Sequence, residues 1–313
     1  MYRSIHAALA AGALLAGCGG EAIQGPAPLS GVQSIQGGAV RPAPELTFTS
    51  VDVPNALLTS ASGVNARGDV VGSYRDAGNR VRGFLLRDGV FTTINAPYEG
   101  VTVTDARGIS PDGDIVGTYR IAGERSVDIH GFLLTKHGEF VRVDFPGHKN
   151  TIPQRISPDG TIYGCYHDDD TMGSMRGMAI GRDGTAETDI EASMHNGATP
   201  DGRRIAGLFT DMMTGRQDGY LLEDGVLTIL RVPGSSQTAA WDMNPTGDIV
   251  GVYRNASGFH GFLFRDGAYT PVDVPFAGAR DTRAFGINAL GWIVGSYVDA
   301  SGKTRGFVAR PSH

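Results

Sequence analysis

One phrase is written six times in this 313-residue chain. It runs Gly-Ile-Asn, a turn, Asp-Ile-Val-Gly-x-Tyr, His-Gly-Phe-Leu, Asp-Gly, Phe-Thr and Val-Asp-x-Pro, with substitutions. The glycine two residues before its aromatic falls at Gly72, Gly117, Gly164, Gly207, Gly251 and Gly295, in steps of 45, 47, 43, 44 and 44 residues. Short apolar runs split by turn signals, at that period, specify a repeat architecture with about four strands per unit.

The second unit shows the pattern. Residues 106–110 read as a first strand, and Pro111-Asp112-Gly113 as a hairpin turn in which glycine takes positive φ. Residues 114–119 are rich in β-branched and aromatic side chains and read as a second strand. A variable loop leads to a third strand at 129–134, and a fourth spans 140–144 before Pro146 ends it.

The chain ends are complementary. Residues 47–53 read as a fourth strand with no unit before them, and the last unit stops after a third strand at 305–310. Pairing the two closes a ring and removes the sheet edges that seed aggregation. The expected fold is therefore all-β, a six-bladed β-propeller whose last blade is completed by the N-terminal strand, over residues 47–313. An open β-solenoid would have no use for complementary ends.

Ahead of the repeats lie two short segments. Residues 1–17 read as a signal peptide: Arg3 supplies the positive start, and 5–16 form an apolar run too short to span a bilayer. Leu15-Ala16-Gly17-Cys18 resembles a bacterial lipobox, which implies lipidation of Cys18 and cleavage before it. Gly19 after the cysteine resembles the outer-membrane sorting pattern of Gram-negative bacteria. The expected location is an outer-membrane lipoprotein facing the periplasm or the cell surface. Residues 18–46 combine the anchor with a Gly/Pro-rich flexible tether.

Composition narrows the function classes. With 27 Lys and Arg against 33 Asp and Glu the net charge is −6, which argues against nucleic acid as a partner. Besides Cys18 there is only Cys165, so the mature chain can form no internal disulfide. Cys165 sits where other units carry Ser73, Thr118, Leu208, Val252 and Ser296, and is expected to be a buried, unreactive thiol.

The repeat is similar to that of the HAF-repeat family of bacterial extracellular proteins. The residues that carry the likeness are Ile129-His130-Gly131-Phe132-Leu133-Leu134, Phe259-His260-Gly261-Phe262-Leu263 and the Gly-Ile-Asn…Ile-Val-Gly-Ser-Tyr phrase at 286–297. The resemblance covers residues 47–310 and implies an exported β-repeat protein. It brings no catalytic residue with it. Unit three departs most, with Met175-Arg176-Gly177-Met178-Ala179 in place of His-Gly-Phe-Leu and a last strand that is hard to place.

A residue type repeated in most units is scaffold before it is anything else. The aromatics Tyr74, Tyr119, Tyr166, Phe209, Tyr253 and Tyr297 read as packing. His130 and His260 stand where other units hold Arg82, Arg176, Asp218 and Arg305, so they read as repeat grammar rather than catalysts. The residue after each turn glycine varies too much for a calcium loop. No nucleophile elbow, zinc-protease helix or phosphate-cradling loop occurs.

Loop lengths separate two faces. Strand one to the repeated glycine takes 7 residues in five units and 8 in the fourth, whereas repeated aromatic to third-strand glycine takes 9, 12, 11, 10, 8 and 9. Variation collects on the face free to bind something. On that face the candidate ligand-binding residues are Asp105, Arg107, His148, His167, Asp169, His195, Met213, Trp241 and Arg283. Ser62, Arg107, Gln154, Asn196, Trp241 and Phe285 share one position, and around an axial opening they would form a mixed polar and aromatic mouth. Thr59, Thr104, Thr151, Ser193, Thr238 and Thr282 form a hydroxyl ring that reads as backbone capping. The Met, His and Asp residues of 148–213 suit a soft metal or calcium in type, but no ligand spacing recurs, so an irregular core and a solvated acidic loop are the plainer reading. No metal or other cofactor is expected.

Two functions fit. One is a binding or scaffold module, monomeric and lipid-anchored, for a cell-envelope protein or glycan. The other is a polysaccharide- or ester-directed lyase or hydrolase with its site at the axial mouth. The second requires Asp105, Arg107, His195 and Arg283 to line one pocket.

Overall fold

The computed structural model describes residues 41–125, 127–168 and 174–312. Cys18, the signal peptide, most of the tether and Asp169 lie outside the described residues. The protein opens with β1 (Leu46–Val51). Unit one is β2 (Leu58–Val64), β3 (Val70–Arg75), β4 (Val81–Arg87) and β5 (Val90–Ile94). Unit two is β6 (Val101–Ile109), β7 (Ile115–Ile121), β8 (His130–Leu134) and β9 (Phe140–Val143). Unit three is β10 (Asn150–Ile156), β11 (Ile162–His167), β12 (Arg176–Ile180) and β13 (Ala186–Glu191). Unit four is β14 (Ser193–Ala198), β15 (Arg204–Thr210), β16 (Gln217–Glu223) and β17 (Val226–Leu230). Unit five is β18 (Gln237–Met243), β19 (Ile249–Asn255), β20 (Gly258–Arg265) and β21 (Ala268–Val272). Unit six has β22 (Arg280–Ile287), β23 (Ile293–Val298) and β24 (Thr304–Pro311).

The strands form four separate four-stranded sheets and one eight-stranded sheet. The eight-stranded sheet is two antiparallel meanders, β2–β5 and β6–β9, joined by a parallel pairing at Val81–Val103. First strands pack in succession: β2 on β6, β6 on β10, β10 on β14, β14 on β18, β18 on β22, and β22 back on β2. The protein is an all-β propeller, with no α-helix among the described residues. β1 pairs antiparallel with β24, from Leu46–Pro311 to Val51–Gly306, so the N-terminal strand completes unit six.

The repeated glycine has a steric cause. A Cβ on Gly117 would strike the Asp105 carbonyl oxygen and lie 2.8 Å from the Phe132 ring. Gly251 stands in the same relation to Phe262 at 2.6 Å, and Gly295 to Phe307 at 2.7 Å. These rings, with Phe84, Met178 and Tyr220 at the matching positions, are fully buried. In unit three Met178 therefore replaces a core phenylalanine, and Met175 is buried beside Cys165. Cys165 is itself fully buried, and burial pushes its thiol up to about 12.

The hydroxyl ring caps the junctions between units. Thr59, Thr104, Thr151, Thr238 and Thr282 Oγ1 accept the backbone N–H of Val53, Ala96, Phe145, Val232 and Val274, at 2.8–3.3 Å. Each donor residue immediately precedes a proline. Unit three lacks that junction: β13 reaches β14 through Ala192 alone, at φ 51°, and Ser193 Oγ takes the Gly177 N–H instead.

First strands are longer than the sequence implies. β6 begins at Val101 rather than 106, and β22 at Arg280 rather than 284. Each first strand carries a β-bulge, with Ser62, Arg107, Gln154, Asn196, Trp241 or Phe285 as the extra residue. A bulge shifts the inward-outward alternation by one residue, which breaks the period-2 pattern that marks a strand.

Candidate mouth and axial core

The bulge re-aims the shared-position side chains, because an extra residue points out of the ladder, and it brings two of them, Trp241 and Phe285, into contact. In unit two, Arg107 Nη2 lies 3.1 Å from Asp105 Oδ2, both about one-quarter exposed. From units five and six, the Trp241 and Phe285 rings meet edge to face, centroids 5.5 Å apart at 90°. Gln154 is buried and donates from Nε2 to Met194 Sδ at 2.8 Å, and buried Asn196 donates from Nδ2 to the Ala240 carbonyl at 2.8 Å. Arg283 lies with its guanidinium carbon 4.2 Å above the Phe259 ring centre, where burial lowers its pKa. The half-buried side chains on this rim include an ion pair and two rings, with Ser62 and Arg283.

The other expected site residues divide. His148 Nδ1 pairs with Asp168 Oδ2 at 2.7 Å and packs on Tyr166 and Phe145, forming a separate cluster at the entry to unit three. The Lys149 N–H and His148 hold the Asp168 carboxyl below its usual range. His167 is half-buried at the end of β11. Met213 is 97% exposed on the loop between β15 and β16, so it plugs nothing. His195 does not belong to the surface at all. It is 2% exposed, its Nδ1 is hydrogen-bonded to Tyr220 Oη, and a Cβ on Gly177 would lie 2.6 Å from its ring. Its polar character suggested a ligand contact, but its alternation within β14 points it between units three and four. Among the described residues no three His, Cys, Asp or Glu form a metal-holding group.

His130 and His260 follow the repeat. His260 bonds Asp273 Oδ2 at 2.9 Å and Ser257 Oγ at 2.8 Å, and stacks on Tyr253. His130 bonds Glu124 Oε2 at 2.8 Å and stacks on Tyr119. Arg82 and Arg305 take acid partners from the same loop, Asp76 and Asp299. Trp292, on the short-turn face, packs beneath Arg310 at 4.3 Å and against Gly68.

Sequence reasoning missed the axis. The residue after each bulge is Gly63, Gly108, Gly197 and Gly286 in four units, and Arg155 and Asp242 in the other two. A Cβ at the glycines would meet the neighbouring first strand at 2.5–2.8 Å, so the strands nearly touch there. Arg155 Nε lies 2.9 Å from Asp242 Oδ2, an ion pair off the line of a hydrogen bond, with side chains 11% and 10% exposed. The sequence does show a charged residue of each sign at a position where four units carry glycine, but not that the two meet.

Two cavities lie away from the rim. One of about 120 Å³ is axial, with Arg155 and Asp242 at its base and Pro111, Pro158, Pro200 and Pro245 around it. Another, of about 380 Å³, runs between units four and five along Tyr253, Phe262 and Tyr269.

No family model matches the chain, and no curated protein matches it. Solved structures do. The TolB-type protein of Agrobacterium tumefaciens superposes with TM-score 0.52 at 16% identity, over 78% of this chain and 79% of that one. TolB of Acinetobacter baumannii gives 0.50 at 17%, over 78% and 65%. An oligogalacturonate lyase from Vibrio parahaemolyticus gives 0.46 at 12%, over 85% and 96%. At such identities the likeness shows the propeller fold alone.

Proposed function

We infer that the chain is a six-bladed propeller serving as a binding module, exported and lipid-anchored at Cys18, for a cell-envelope protein or glycan. Counting the eight-stranded sheet as two, since one parallel pairing joins its halves, supports six blades. One observation carries the binding reading. The rim offers a paired Asp105–Arg107 and an aromatic Trp241–Phe285 corner, while His195, the histidine among the acid–base candidates, is sealed in the core. Ion pair and rings suit recognition of a polar surface with flat apolar faces, such as a sugar. The same arrangement does not favour a lyase or hydrolase at the mouth, because His195 is buried and so does not line one pocket with Asp105, Arg107 and Arg283. Export and anchoring rest on residues 1–20, and membership of the HAF-repeat family rests on the repeated phrase.

The test is capture of envelope components by the mature domain, alongside membrane fractionation of Cys18→Ala. The binding reading expects a retained protein or glycan whose capture falls with Trp241→Ala, and release of the cysteine variant from membranes. Equal capture by the native and Trp241→Ala domains, or native protein already free in the periplasm, would overturn the corresponding half.

A further inference from the structure

The bulge carbonyls converge on the axis, and a cation fills the space between them. Arg155 Nη1 donates to the carbonyls of Arg107 at 2.9 Å and Gln154 at 2.7 Å. Nη2 donates to the carbonyls of Ser62, at 3.1 Å, and Phe285. These four oxygens come from units one, two, three and six. Asp242 of unit five faces the same guanidinium, and its carboxylate also accepts the N–H of Met243 at 2.9 Å and of Ile287 at 3.0 Å. Unit four contributes Gly197, whose Cβ would lie 2.8 Å from Asp242 Oδ1.

We propose that the propeller axis is a cation site of carbonyl oxygens and one carboxylate, built for a planar guanidinium and occupied by the chain's own Arg155. Three features argue for a site rather than an incidental contact. Every contributing carbonyl belongs to a bulge residue, so the same backbone device in four units presents the oxygens. A buried carboxylate balances the charge, as a desolvated cation requires. The planar fork matches several acceptors at once, which an ammonium on a flexible stem does not. Occupation by Arg155 closes the axis between the rim and the short-turn cavity, and it fixes the backbone of the rim residues Arg107 and Phe285 from beneath.

The test removes the tethered cation and offers a free one. Arg155→Gly restores the residue that four sibling units carry, so the backbone tolerates it. The variant should melt about 10 °C below the native protein, given the loss of one partner of a buried pair in a domain this size. Guanidinium at up to about 20 mM, far below denaturing concentrations, should recover several degrees in a saturable manner, against sodium chloride at equal ionic strength. The native protein and Arg155→Gly/Asp242→Asn should show no such gain. If Arg155→Gly does not fold unaided, guanidinium during refolding should restore soluble yield, and Arg155→Lys should fold with an intermediate melting temperature. A variant as stable as the native protein, or one that free guanidinium neither stabilises nor rescues, would overturn the site.

Discussion

Asp218 and Arg231 hold the same contact as their counterparts elsewhere in the ring, with the signs reversed. Arg231 donates from Nε at 3.1 Å and from Nη2 to the Asp218 carboxylate, which is 1% exposed. In unit five the third strand carries the base, His260, and the fourth-strand end carries the acid, Asp273. Arg305 and Asp52 repeat that polarity where unit six meets β1. In these three units the position carries opposite charges in either order, while unit one meets it with Arg82 and the neutral Asn95 at 2.9 Å. Asp218→Ala should lower stability by about 2–3 kcal/mol, less than for a fully buried pair because Arg231 reaches solvent. Asp218→Arg/Arg231→Asp should recover most of what Asp218→Arg alone loses, read by urea denaturation. A double variant no better than the single would show that the pair is not interchangeable.

Ring closure predicts the cost of losing β1. Its Val51 is buried, Phe48 packs on Phe307 with centroids 5.8 Å apart, and its backbone pairs with β24 from Gly306 to Pro311. Deletion of residues 1–55 should leave β24 as an open apolar edge and yield aggregated or unfolded product. Size-exclusion chromatography and thermal melting decide it. A monomeric, cooperatively melting deletion variant would mean the ring does not depend on its N-terminal strand.

Acid should loosen the clasp between residue 41 and unit five. The Arg41 side chain and its backbone N–H hold the Asp266 carboxyl at about 2. Hydrogen bonds from Ser301 and Arg305 lower Asp299 likewise. A folded pKa below the unfolded value of about 3.9 gives stability that is present above pH 4 and lost as pH falls toward 2. The native melting temperature should therefore fall across that window, and Arg41→Ala should flatten part of the slope. Superposable profiles for the two proteins would assign the acid loss elsewhere.

The repeat made the strand count, the two faces and the closing strand legible, because each rests on periodicity and turn chemistry. The hydroxyl capping by Thr59 and its equivalents followed from position alone. Three things did not. The first halves of β6 and β22 were hidden because the bulges at Arg107 and Phe285 break alternation. His195 looked like a surface ligand because a lone sequence does not say which way a residue of β14 points. The Arg155–Asp242 pair went unread because its partners are separated by 87 positions and meet only when the ring closes.

The claim with most riding on it is that the rim of the variable-loop face does the binding. Trp241 and Arg107 sit on that rim, and Trp292 sits under Arg310 on the opposite face. Titration of the captured envelope component against Trp241→Ala, Arg107→Ala and Trp292→Ala variants separates the faces. Loss of about 1–3 kcal/mol of binding free energy in the first two, with the third unchanged, is the expected result. Abolished binding in Trp292→Ala with native affinity in Trp241→Ala and Arg107→Ala would place the working surface on the short-turn face and contradict it.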